Sequence, residues 1–181
     1  MQLPLFEVQV PARYRKLPAA VNSGAKATPV TAPQPQIIIE RAIDVLGAID
    51  LDVYSTIPSL PAKARYTPQD DALAQAWRGR VWMSGMPGRS IEKWIDKLNH
   101  EFEHGDVLAA VALLPARVNA KWWRKLAAYP FCGVHGLVEM VKPDGSKTKL
   151  TTPSAVVYWG QQLTRFATIF SKLGTIYIPY S

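Results

Sequence analysis

Apolar residues fall into a readable order from Gln36 onward. Ile38, Ala42, Val45 and Leu46 share one helical face, and Gly47 is placed to end that helix. Ile49, Leu51 and Val53 then alternate as a strand. Residues 55–79 read as irregular through Pro58, Pro61 and Pro68, then as helical from Asp70 towards Trp77, before a short strand over Arg80 to Ser84. Ser90 is positioned to cap a helix whose apolar stripe is Ile91, Trp94, Ile95, Leu98 and Phe102, closed by Gly105. Val107 to Leu114 is an unbroken apolar run, the signature of a strand buried on both faces of a parallel sheet.

The second half continues in the same manner. Asn119 can cap a short helix through Trp122 and Trp123, and Phe131 to His135 and Leu137 to Val141 read as strands. Pro143, Asp144 and Gly145 form a hairpin turn signal. Ser154 to Trp159 is another strand, followed by a helical stripe of Leu163, Phe166, Ala167, Phe170 and Leu173 ending at Gly174, and a last strand over Thr175 to Ile178. Helices alternating with buried strands predict an α/β sandwich, its sheet mostly parallel with an antiparallel hairpin. Residues 1–35 differ: they hold six of the 15 prolines and read as an extended N-terminal arm, leaving 36–181 as the domain. Leu3, Leu5 and Phe6 give that arm an apolar tip fit to dock on a partner.

Composition narrows the class. With 181 residues, 48% of them hydrophobic, the chain can bury a core and is not a disordered protein. No apolar run reaches the ~18 residues of a membrane span, and no secretory signal is visible at the start. Cys132 is alone, which excludes an internal disulfide framework and points to a reducing, cytoplasmic setting.

Charge adds a direction. Net charge is +7, and from residue 107 on, nine basic side chains face only Glu139 and Asp144. Such polarity suits a protein that lays one side against a polyanion, with DNA as the expected partner. The cations nominated for that role are Arg117, Lys121, Arg124, Lys125, Lys147 and Lys149.

Common catalytic motifs are missing. There is no glycine-rich phosphate loop of either standard pattern, and Ser154 lacks the context of a nucleophile elbow. His100 and His104 have metal-ligand spacing on one helix face but no third ligand nearby, so no metal is expected. His135 reads as a core histidine, and Trp77, Trp82, Trp122 and Trp123 as core aromatics, with a stacking platform as the lesser option.

Several collinear segments carry a resemblance. They are Gly47 to Asp52, Ala64 to Trp77, Gly79 to Met83, Ile91 to Ile95, Leu113 to Arg117, Lys121 to Trp123, Tyr129 to Cys132 and Pro153 to Tyr158. Together they resemble the phage and prophage Dam-like DNA N6-adenine methyltransferases over roughly residues 29–178. The resemblance implies a Rossmann-like methyltransferase sandwich, S-adenosylmethionine as cofactor with Asp52 and Ser55 beside it, and a bacterial cell hosting a phage or prophage.

The chain departs from the family where the chemistry lies. A strand like Arg80 to Met83 leads in the family into Asn-Pro-Pro-Tyr, but here into Ser84, Gly85, Met86 and Pro87. In the family the carboxamide and the next carbonyl localise the lone pair of adenine N6, and the ring holds the flipped base. Ser84 supplies one hydroxyl and Pro87 no aromatic face. Val53 and Tyr54 also replace a proline and a small residue beside the cofactor, so that Tyr54 intrudes on the cofactor's space. The resemblance therefore implies an inactive, degenerate member that binds nucleic acid or protein, including a second copy of itself. The alternatives are a working methyltransferase rebuilt around Ser84 and a purely structural subunit.

Overall fold

The computed structural model describes residues 35–55, 60–142 and 145–179. The expected arm over residues 1–35 lies outside them except for Pro35, which is buried. In chain order the elements are α1 (Gln36–Leu46), β1 (Ile49–Asp52), β2 (Ala62–Arg65), β3 (Gly79–Met83), α2 (Ile91–Glu103) and β4 (Val107–Pro115). A 3-10 helix (Lys121–Leu126) follows, then β5 (Phe131–Val134), β6 (Glu139–Val141), β7 (Lys147–Lys149), β8 (Ser154–Trp159), α3 (Leu163–Phe170) and β9 (Gly174–Tyr177).

Among the described residues, seven strands form one sheet in the order β2-β1-β3-β4-β8-β5-β9, while β6 and β7 make a separate hairpin. Strands β2, β1, β3 and β4 run parallel; β8 opposes both β4 and β5, and β9 opposes β5. The result is a mixed α/β fold of Rossmann-like topology, a mostly parallel core sheet extended by antiparallel strands. The expectation of a mostly parallel α/β sandwich with an antiparallel hairpin holds at that level.

Alternation along the central strands divides the core in two. Val81 and Met83 of β3, Ala110, Ala112 and Leu114 of β4, and Val157 and Trp159 of β8 pack with Trp94, Ile95 and Leu98 of α2. Trp82, Val111, Leu113, Val156 and Tyr158 point to the other face, against Ile38, Ala42 and Val45 of α1 and Phe166 and Phe170 of α3. From Ala110 to Leu114 the apolar run is buried on both sides, as two covered faces require, whereas Leu108 near its start is exposed, contrary to expectation. Trp77, Trp82 and Trp159 are fully buried.

Several local expectations are corrected. Parallel strand β2 lies within the stretch read as irregular, and residues 70–77 form turns rather than a helix. The Asp70 carboxylate accepts hydrogen bonds from Thr67 N–H (2.7 Å) and Oγ1 (2.8 Å), a local alternative to helical bonding. Strand β1 is buried at every position rather than alternating. Ser90 makes no capping bond from its side chain, because its hydroxyl donates to Pro87 O (3.1 Å) and accepts from Trp94 Nε1 (3.3 Å). Asn119 does not cap the helix that carries Trp122; Ala120 stands there. Gly174 opens β9 instead of stopping α3, which ends at Phe170. His135 is exposed and bonds Thr175 Oγ1 at 2.9 Å, and Trp122 and Trp123 are only half-buried.

Candidate functional site

The strand order reverses at the junction of β1 and β3, since the chain leaves β1 for β2 on one side and returns to β3 on the other. In open α/β sheets, ligands bind in the crevice outside the carboxyl ends at such a point. Here that crevice is bounded by residues 53–55 after β1 and by 84–90 after β3. The loops after β4 and between β5 and β8 open on the same edge, because β8 runs in the opposite sense. Asp52, Ser55, Ser84 to Pro87, Arg117 and the hairpin that carries Lys147 and Lys149 are thus gathered along one edge of the sheet.

Asp52 ends β1 and is buried. Its Oδ1 accepts the Tyr54 N–H at 3.2 Å and its carboxylate accepts a bond from Ser55. Burial pushes its carboxyl up to about 6, against the opposing effect of those two hydrogen bonds and of the Arg65 charge. Backbone bonds from Ser55 N–H to Tyr66 O (2.6 Å) and from Val53 N–H to Trp82 O (3.2 Å) fasten the turn to both neighbouring strands. Asp52 and Ser55 therefore come together, with their polar groups spent on holding the turn.

Tyr54 occupies the crevice between the two loops. Its ring meets Trp94 edge-on, centroids 5.4 Å apart, and a Cβ added at Gly85 would lie 3.9 Å from it. Trp94 in turn donates to Ser90, whose hydroxyl bonds Pro87 O, so the plug and the loop after β3 are linked. Gly85 turns that loop with a φ of 75°.

Beside the plug lies a pocket of about 220 Å³. Ser84, Gly85 and Met86 form one wall, Leu113 to Pro115 the floor, and Met140, Leu150, Thr152 and Ser154 the side facing the hairpin. Pro87 is exposed and does not line it. The polar side chains in the lining are the hydroxyls of Ser84, Thr152 and Ser154, and Ser154 is directed at Thr152 O. No lining residue can serve as a general base at neutral pH. Met140 and Leu150 escaped the sequence reading; the only signal was an apolar residue at each end of a lysine-rich hairpin.

The six nominated cations separate by environment. Lys125 is held by Asp96 (2.6 Å) and Glu92 (3.0 Å) on α2, which raises its pKa, and Lys147 is paired with Glu139 at 2.8 Å. Arg117, Lys121, Arg124 and Lys149 are exposed and have no acidic partner among the described residues. Arg117 and Lys149 border the carboxyl edge, while Lys121 and Arg124 lie on the 3-10 helix that continues from the same loop. His100 and His104 sit with rings 4.0 Å apart, and no group of three metal-ligating residues occurs among the described residues. Nor is any described helix long and apolar enough to cross a membrane.

The chain matches no family model, no curated protein and no solved structure. The fold and site define a Rossmann-like α/β protein with Tyr54 at its switch point and a basic edge.

Proposed function

We propose that this protein is a methyltransferase-type scaffold without methyl-transfer chemistry, and that it binds duplex DNA along the carboxyl edge of its sheet. The observation that carries the reading is the four cations Arg117, Lys121, Arg124 and Lys149. They lack acidic partners among the described residues and lie on the segments that lead away from that edge. Unpaired cations recruit phosphates, whereas cations already neutralised by the fold do not.

Two features support the loss of chemistry. The loop from Ser84 to Pro87 offers neither a carboxamide nor a ring for a flipped base. Tyr54, packed on Trp94, fills the crevice in which a cofactor would lie beside Asp52 and Ser55.

The test is a salt titration with mixed-sequence duplex DNA. Four phosphate contacts give a slope of log K against log salt near −3.6, at about 0.9 per phosphate. A flat titration, or no binding at low salt, overturns the binding role. Tritium transfer from labelled S-adenosylmethionine into the same DNA, abolished by Ser84→Ala, overturns the loss of chemistry.

A further inference from the structure

Four aromatic rings form a continuous row on the α2 face of the antiparallel extension. Trp122 and Trp123 are neighbours on the 3-10 helix, 5.5 Å apart. Trp123 meets Phe131 of β5 edge-on at 5.3 Å, and Phe131 stacks on Tyr177 of β9 at 4.6 Å and 13°. The other three rings are half-buried, while Tyr177, at one end of the row, is 51% exposed. This differs from Trp77, Trp82 and Trp159, each fully enclosed.

The position of Tyr177 explains why its ring remains open. Among the described residues strand β9 ends the sheet, and its cross-strand partner Phe131 covers one ring face. The opposite face has no ring partner among the described residues. Lys121 and Arg124 rise from the same short helix as the two tryptophans, both exposed and without an acidic partner. The exposed ring of Tyr177, the half-buried Trp122 and the unpaired cations flanking the tryptophan pair meet the two needs of an unpaired strand, stacking for bases and positive charge for the backbone.

We propose that this row is a second nucleic-acid site, a platform on which Tyr177 and Trp122 stack the bases of single-stranded DNA while Lys121 and Arg124 hold its phosphates. The proposal rests on the DNA-binding reading and shares Lys121 and Arg124 with it, but adds a row of rings that the duplex edge does not use. Bases paired inside a duplex present no free face to such a row. Single-stranded DNA is therefore its ligand, and the charge complementarity of Lys121 and Arg124 selects a polyanion over a neutral sugar or a second copy of this basic chain.

The experiment measures anisotropy of a labelled thymine-rich oligonucleotide, alone and annealed to its complement, with the full chain at low salt. Tyr177→Leu keeps apolar volume and removes the π face; Trp122→Ala removes a second ring. Each is expected to weaken single-strand binding about 5- to 150-fold, from the ~1–3 kcal/mol of a base–aromatic stack, and to leave duplex affinity unchanged. Tyr177→Phe keeps the ring and retains affinity. Single-strand binding that ignores Tyr177→Leu, with duplex binding intact, overturns the platform alone. Single-strand binding that depends on the rings without any duplex binding supports the platform and overturns the duplex edge. Equal losses for both ligands, or a Tyr177→Leu effect confined to self-association in light scattering, also overturn the platform.

Discussion

Tyr54 meets Trp94 edge-on, with ring centroids 5.4 Å apart and planes at 81°. The contact joins the turn after β1 to the first turns of α2, and Trp94 extends it by stacking on Trp77 at 5.8 Å. Tyr54 thus ties the turn at the switch point to α2 by aromatic packing. Tyr54→Ala removes this contact and part of the second core, and is expected to cost about 2 kcal/mol. Urea unfolding reads that as a lowered midpoint with an unchanged slope, and Tyr54→Phe stays close to the parent.

The same plug governs attempts to rebuild chemistry. Replacing Ser84→Asn, Gly85→Pro, Met86→Pro and Pro87→Tyr together supplies the missing acceptor and ring, but leaves Tyr54 in the crevice. Labelled methyl transfer is expected to stay at background in that variant. It rises above background only when Tyr54→Ala is added. Activity in the fourfold variant alone would show that the crevice is open to the cofactor.

Asp52 makes stability depend on pH in a defined direction. Burial raises its carboxyl from 3.8 to about 6, so the folded state favours the protonated form. Its contribution is complete below pH ~4 and is lost as the pH rises to about 6, a change of roughly 3 kcal/mol by linkage. Asp50 acts in the opposite sense and at lower pH. Burial alone would raise it, but bonds from Arg80 (2.7 Å and 3.0 Å) and Lys63 hold it well below the usual carboxylate range. Its support is lost only as the pH falls below ~4. Stability of Asp52→Asn relative to the parent should therefore climb between pH 4 and 6 and level off above; a flat difference would refute the shift.

Elements that speak through their own side chains were legible in the chain. The stripe of Ile91, Trp94, Ile95 and Leu98 became the buried face of α2, and the run from Val107 became the central strand β4. Strand β2 was hidden because Ala62-Lys63-Ala64-Arg65 follows Pro58 and Pro61 and alternates only alanine with charge, without a β-branched or aromatic residue. Its residues pair through the backbone, and Lys63 reaches Asp50 on the neighbouring strand. Ser90 looked like a cap, but the nearby Trp94 ring claimed its hydroxyl. The position of Ser84 at the close of a strand followed from local pattern, whereas the alternation places Asp52 inside a strand running to Val53 and it in fact ends β1. The pocket did not, since Met140 and Leu150 reach it only when the hairpin folds across the edge of the sheet. Long-range placement of this kind leaves no periodic mark.

Gly174 shows how tightly the antiparallel extension is packed. A Cβ there would run into Gly133 O and lie 2.8 Å from Cys132 Sγ. Gly174 pairs with Val134 at the end of β5, so neither backbone can withdraw without loosening β9. Gly174→Ala is expected to cost about 3 kcal/mol, the upper range for overpacking, despite adding one methyl group. Thermal unfolding reads this as a lowered Tm. It would also detach Tyr177 from Phe131, so the same variant should lose single-strand affinity.

Pairing within the fold decides which lysines are available to DNA. Lys125 spends its charge on Asp96 and Glu92, while Lys149 has no acidic partner among the described residues. Removing one phosphate contact flattens the salt slope by about 0.9 and weakens binding, whereas removing a neutralised cation leaves the slope alone. Lys149→Ala and Arg117→Ala should each move the slope from about −3.6 to about −2.7. Lys125→Ala should leave it near −3.6 and instead free two carboxylates on α2. Those carboxylates then repel the backbone, so the intercept falls while the slope holds. A slope that changes equally for Lys125→Ala and Lys149→Ala would mean that DNA breaks the α2 ion pairs on binding, and that the free cations do not define the edge.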